Sequence, residues 1–224
     1  MNWTDVAAAP GAGKSTLCYP VWSDKSVGWD GKLPPAHWGP FLDEITKLCH
    51  LVQDHRTFHA VLRMNTRSAK KMATVYRMQD EGVFIQTGWC QRILGFGWRL
   101  VEMSRDVRAI RNALLLMPVS AGVAFLEASP EVLKERNRDR RLVPETSHED
   151  RSFMIEPFMP AVAVAKEVLR ERGVAVAEID VEHQPIDAAR RQLLNFAYSQ
   201  ARNGEALRPG SEVAPVQLLP AWWR

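Results

Sequence analysis

Two periods organise the apolar positions of this chain. Short, nearly unbroken apolar runs occur at Trp3–Ala9, Gly122–Ala128 and Val174–Asp180. Runs of this length, bounded by turn residues, predict strands, and Gly122–Ala128 is the one that reads clearly as buried. The first is the weakest β pattern, because Asp5 interrupts it and alanines end it. Thr74–Gln79 reads as a further strand that ends in Asp80-Glu81-Gly82, and a short one is expected at Ser26–Asp30. Elsewhere the period is helical. Phe41, Leu42, Ile45, Leu48, Cys49 and Val52 recur at three- and four-residue steps, which predicts a helix with one buried face. Residues 56–72 repeat the helical pattern, and 83–117 are mainly helical, with breaks expected at Gly88, Gly95 and Gly97. Ser129-Pro130 is a helix start, a capping hydroxyl followed by a proline in the first turn. A helix within 148–172 is expected to be interrupted near Pro157 and Pro160, and Ile186–Arg202 forms a last amphipathic helix.

Strands that alternate with helices imply an α/β domain with a parallel sheet. We read residues 1–202 as one such domain, with 19–72 an insertion and helices on one side of the cleft and 203–224 an irregular, Pro/Gly/Ser-rich tail. A length of 224 residues and 46% hydrophobic content suffice for one packed core. The net charge of +3, from 29 basic against 26 acidic residues, does not by itself mark a nucleic-acid binder. Cys18, Cys49 and Cys90 lack metal-ligand spacing and read as small core residues in a reducing compartment. No signal-like start or membrane-length apolar run is present, so a soluble cytoplasmic protein without membrane partners is expected. Oligomeric state is left open.

One stretch carries recognisable chemistry. Ala8-Ala9-Pro10-Gly11-Ala12-Gly13-Lys14-Ser15-Thr16 follows the first strand and opens a helix. It matches the end of the phosphate-binding P-loop, or Walker A motif. There, backbone amides cradle phosphates, a lysine reaches the β/γ-phosphates and a hydroxyl holds Mg²⁺. Pro10 to Thr16 are therefore the expected nucleotide-binding residues, with Ser15 on the metal. Ala8 occupies the place of the usual first glycine, and Pro20 cuts the following helix short.

Two further constellations could complete a site. If the strand before Asp80-Glu81 neighbours the first strand, its carboxyl end brings the acids beside the loop, where Mg²⁺ chemistry needs a carboxylate. Gln86, Trp89, Gln91 and Arg92 lie near that pair in sequence. Arg136 and Arg140 are four apart and share a helix face. Arg56, Arg63, Arg67, Lys70 and Lys71 form a run without acids, which is either a solvated face or an anion-binding one. Trp22, Trp29 and Trp38 fall in a Gly/Pro-rich segment and serve either core packing or base stacking.

In order, these features resemble the nucleoside and nucleotide kinase branch of the P-loop kinases. The parts that carry the resemblance are Pro10–Thr16, Asp80-Glu81-Gly82, Phe125–Glu131 leading into Arg136–Arg141, and Val176–Asp180 before the last helix. The resemblance implies a sheet of order 2-3-1-4-5 flanked by helices and an arginine-rich lid at 130–150. It also implies ATP and Mg²⁺ as donor and metal. Lys14, Asp80, Glu81, Arg136 and Arg140 would then be catalytic, with Asp80 serving as base or on the metal beside Ser15. In general character the chain also resembles phage kinases that phosphorylate 5-hydroxymethyluracil in DNA. For such an acceptor Asp30, Trp29, Trp38, Arg63, Arg67 and Lys70 are the candidate contacts. A kinase of a free nucleoside, nucleotide or other small molecule is the alternative, and a P-loop NTPase without an acceptor is a third, of another class.

Overall fold

The computed structural model of the chain describes residues 3–18, 36–50, 66, 69–70, 72–74, 84–86, 88–104, 107–118, 120–139 and 152–205. Four parallel strands form the sheet: β1 (Trp3–Ala8), β2 (Phe84–Gln86), β3 (Gly122–Glu127) and β4 (Ala175–Asp180), in the order β2-β1-β3-β4. This is the 3-1-4-5 portion of the expected order; the strand expected at 26–30 lies outside the described residues. Register is set by pairs such as Asp5 with Gln86, Ala8 with Leu126, and Glu127 with Asp180. All six residues of β1 are buried, because both faces of a central parallel strand are covered by helices.

The helices are α1 (Lys14–Cys18), α2 (Gly39–His50), α3 (Trp89–Ser104), α4 (Arg108–Leu116), α5 (Pro130–Asp139), α6 (Ile155–Glu171) and α7 (Ile186–Glu205). On one side of the sheet α3, α4 and α6 pack together, and on the other α7 packs on β4, β3, β1 and α1. The core runs continuously through the sheet, from Val6, Val123 and Phe125 to Ile93, Phe158 and Leu169 on helices. Arg172 crosses to the end of α4, donating to the Leu114 and Met117 carbonyls, which that helix end leaves unpaired.

Several expectations require correction. The second described strand is Phe84–Gln86, downstream of Asp80-Glu81-Gly82, whereas Thr74, expected to open it, is helical and buried. Met72, Ala73 and Thr74 are helical and all three buried, and Val75 to Gln79 of the expected strand lie outside the described residues. Gly95 and Gly97 do not break α3. A Cβ on Gly97 would stand 2.8 Å from Ile110 Cδ1, so the glycine lets α4 approach. Pro157 and Pro160 do not divide α6 either: Pro157 is in the first turn, where no intrahelical donor is needed, and packing of Phe158, Ala161 and Val162 carries the helix past Pro160.

Candidate nucleotide-binding site

β1 ends at Ala8, and the chain turns through Ala9-Pro10-Gly11-Ala12-Gly13 into α1. Gly11 and Gly13 hold φ of +91° and +73°, in the left-handed region that side-chain-bearing residues avoid. Ala8, where the usual pattern has glycine, is still in the strand and pairs with Leu126. Extended backbone accepts any side chain there, which removes the objection to alanine. The turn is closed by the Ala12 amide on the Ala9 carbonyl (3.3 Å), and α1 begins with the Leu17 amide on the Gly13 carbonyl (2.9 Å). α1 spans Lys14–Cys18, and Pro20, expected to end it, lies outside the described residues.

Among the described residues no atom stands within 4 Å of where a Cβ of Gly13 would be, so on their side that part of the loop is open. The loop borders a groove of about 450 Å³ shared with Thr16, Arg136, Gln184 and Ile186. Its polar lining is the glycine-rich backbone with Thr16, Arg136, Glu182 and Gln184; Leu17, Val181, Ile186 and Ala189 make the apolar part. Such a lining suits a molecule that joins an anionic group to an apolar or aromatic one. The groove lies beyond the carboxyl ends of β1 and β4, the usual place for ligands on an open α/β sheet.

The walls are fixed by hydrogen bonds. Arg136 Nη2 donates to the Val181 carbonyl at 2.9 Å, and the Ser129 amide at the start of α5 donates to Glu182 Oε2 at 2.6 Å. These bonds join the helix of Arg136 to the segment after β4. In that segment Asp180 accepts from the Glu182 and His183 amides, which holds its carboxyl below the usual range, and the same carboxylate raises the His183 imidazole. Asn137, one residue after Arg136, is buried and donates to the Leu133 carbonyl directly behind Gly11.

Across β1 lies a buried carboxylate that sequence reasoning treated only as a flaw in a strand. Asp5 accepts from the Gly88 amide at 2.6 Å and the Cys90 amide at 2.8 Å. Burial pushes it up to about 6; those two bonds and the charges of Lys14 and Arg92 pull the other way. Burial pushes the Cys18 thiol up to about 12 and Cys90 well above its ordinary value, so neither is a nucleophile near neutral pH.

Of the expected nucleotide-binding residues, Gly11, Ala12, Gly13 and Thr16 line one groove together with Arg136, and Lys14 is the first residue of α1. Asp80, Glu81, Arg140, Asp30, Trp29, Arg63 and Arg67 lie outside the described residues, as does the Ser15 side chain, while Lys70 is helical and half-buried. Trp38 is a correction: it is 2% exposed and meets Trp89 edge-on at 6.3 Å, so it is a core residue whose ring has no face free for stacking. Among the described residues no cluster of metal-ligating side chains is present, and no helix is long and apolar enough to cross a membrane. Asp5, Gln91 and Asn137 were missed as structural partners of the loop. The one available signal was a charged residue inside an apolar run.

No protein-family model and no curated protein sequence matches the chain. Among solved structures it is similar to deoxyadenosine kinase from M. mycoides with the products dCMP and a flexible dCDP bound. The TM-score is 0.54 and the identity 14%, over 88% of this chain and 99% of that one. The same enzyme with bound dATP gives a TM-score of 0.51 at 15% identity, over 88% and 100% of the two chains. The likeness is one of fold, and that fold is the helix-flanked parallel sheet of P-loop kinases.

Proposed function

We propose that this chain is an ATP-dependent kinase that transfers the γ-phosphoryl group to a hydroxyl of a nucleoside or nucleotide unit. The observation that carries the proposal is the loop between β1 and α1, with Gly11 and Gly13 at positive φ and Arg136 on the same groove. A bare nucleotide-binding loop has no need of a guanidinium there, whereas phosphoryl transfer relies on neutralising charge around the γ-phosphate. The likeness in fold to deoxyadenosine kinases supports a nucleoside-type acceptor.

In this reading, backbone amides from Gly11 to Ser15 and the Lys14 ammonium hold the phosphates. The Ser15 hydroxyl and Asp80 would hold Mg²⁺, which would neutralise phosphate charge when bound. Asp80 takes the acceptor hydroxyl proton as the new O–P bond forms and the bond to the ADP oxygen breaks; Glu81 and Asp30 are the other candidates for that role. Arg136 and Arg140 cover the transferring group. Residues 1–202 act as one domain, with 130–150 the lid.

A second reading concerns the acceptor. The acid-free basic run from Arg56 through Arg63, Arg67, Lys70 and Lys71 suits a phosphate backbone, which favours a base within DNA, such as the hydroxymethyl group of 5-hydroxymethyluracil. Incubation with γ-labelled ATP and either a nucleoside panel or hydroxymethyluracil DNA distinguishes the two. Label on nucleosides supports the first acceptor, and label on DNA alone supports the second, with binding that weakens as salt rises. Label in free phosphate only would overturn the kinase and leave an NTPase.

A further inference from the structure

β2 is three residues long and stops at Gln86 opposite Asp5, while β1 continues to Ala8 and launches the loop. The Trp3 carbonyl accepts from the Ala121 amide beside β3, so by alternation along the strand Trp3, Asp5 and Ala7 present their backbone groups toward β3. Ala8 therefore points its amide to the opposite edge, where β2 has already ended. Gln91 supplies the missing acceptor: its Oε1 takes the Ala8 N–H at 2.7 Å. One turn of α3 thus continues the ladder with a side chain.

The same turn is fastened from below. Asp5, fully enclosed in the sheet, takes the amides of Gly88 and Cys90, two of the donors that a helix start leaves without intrahelical partners. A negative charge at that end of a helix is also favoured by the helix dipole. Asp5 therefore sets where α3 begins, and α3 sets where Gln91 meets Ala8. Both ends of this link fall on β1, three residues apart, immediately before the phosphate loop.

We infer that Gln91 is a positioning residue for phosphate binding: it holds the last strand amide before the loop, and Asp5 holds Gln91's helix turn in register. The inference rests on the nucleotide-binding reading above. Without the acceptor, the Ala8 amide is left buried and unpaired, and the loop can relax only by shifting the backbone that carries Gly11 to Lys14. Removing one partner of a buried hydrogen bond costs more than the bond itself contributes, so the effect should reach the loop.

The test uses the full chain with two variants that remove the acceptor, Gln91→Met of similar length and Gln91→Ala, and one that keeps it, Gln91→Glu. Amide exchange at Ala8 is followed by NMR, and ATP and adenosine binding by calorimetry. In both acceptor-free variants we expect faster Ala8 exchange and ATP binding weakened about tenfold, the scale of one buried hydrogen bond. Adenosine binding should be unchanged because it carries no phosphate, and Gln91→Glu should restore Ala8 protection. A wild-type protein that binds ATP while both acceptor-free variants bind it equally well would overturn the positioning role alone. Equal loss of ATP and adenosine binding would also overturn it, as a general packing defect. A wild-type protein that fails to bind ATP would overturn the nucleotide reading, and the positioning role with it.

Discussion

Gly11 and Asn137 pack so closely that a Cβ on the glycine would lie 2.5 Å from the Asn137 Nδ2 and 2.7 Å from the Leu133 carbonyl oxygen. The glycine-rich loop and the helix of Arg136 are therefore a single packed unit, and the glycine is required twice, for its φ of +91° and for this approach. Gly11→Ala is expected to destabilise the fold by more than the ~1–2 kcal/mol of a left-handed alanine, because the Leu133 carbonyl is backbone and cannot swing aside. Shortening the partner in Gly11→Ala/Asn137→Ala should recover only part of the loss. Urea unfolding of the single and double variants checks both.

Lys14→Ala should lower phosphoryl transfer about a hundredfold or more, the scale seen when one preorganised electrostatic contact is removed. The fold should be retained, as judged by circular dichroism. Lys14 also draws the Asp5 carboxyl downward, so its removal should raise the Asp5 pKa further. A carboxyl titration by NMR reads that shift independently of activity.

Arg136→Ala should slow transfer by about 10³, the lower end of what a neutralising arginine contributes in phosphoryl transfer. Arg136→Lys should not restore it, because a point charge cannot both hold the Val181 carbonyl and face the groove as a planar guanidinium can. Single-turnover rates with saturating ATP separate this effect from donor binding.

Asp5 gives stability a definite pH dependence. Its carboxyl titrates near 6 when folded against 3.8 unfolded, so between those values the folded state binds more protons and stability falls as pH rises. The contribution is fully present below about pH 3.8 and is lost through pH 6, a change of about 3 kcal/mol at ~1.4 kcal/mol per pH unit. Unfolding free energies of the wild type and Asp5→Asn between pH 4 and 7 should diverge by that amount.

Trp38→Ala should destabilise the protein by about 3–5 kcal/mol, the usual cost of emptying a buried aromatic site. The loss follows from its packing against Trp89, which also meets Phe41 at 4.9 Å. Equilibrium unfolding gives the cost, and unchanged acceptor affinity in a milder Trp38→Phe variant would confirm that the ring is structural.

The sequence alone determined the strands β1, β3 and β4, the start of α5 at Ser129-Pro130 and the glycine-rich turn after β1. Each of these is written in contiguous residues: apolar runs, a capping hydroxyl, glycines where φ must be positive. Tertiary structure decided the rest. β2 at Phe84–Gln86 is a three-residue strand held by its register with Trp3, Thr4 and Asp5 on β1, a pairing that so short a run does not announce by its own propensity. Gly97 stays inside α3 because α4 packs against it, a contact that no local pattern announces. Asp5 looked like a defect in a strand until the amides of Gly88 and Cys90, more than eighty residues away, gave its charge partners. The Ala8–Gln91 bond spans 83 residues and was equally invisible. Local chemistry marks a glycine-rich loop, but only the folded chain brings together the groups that hold it in place.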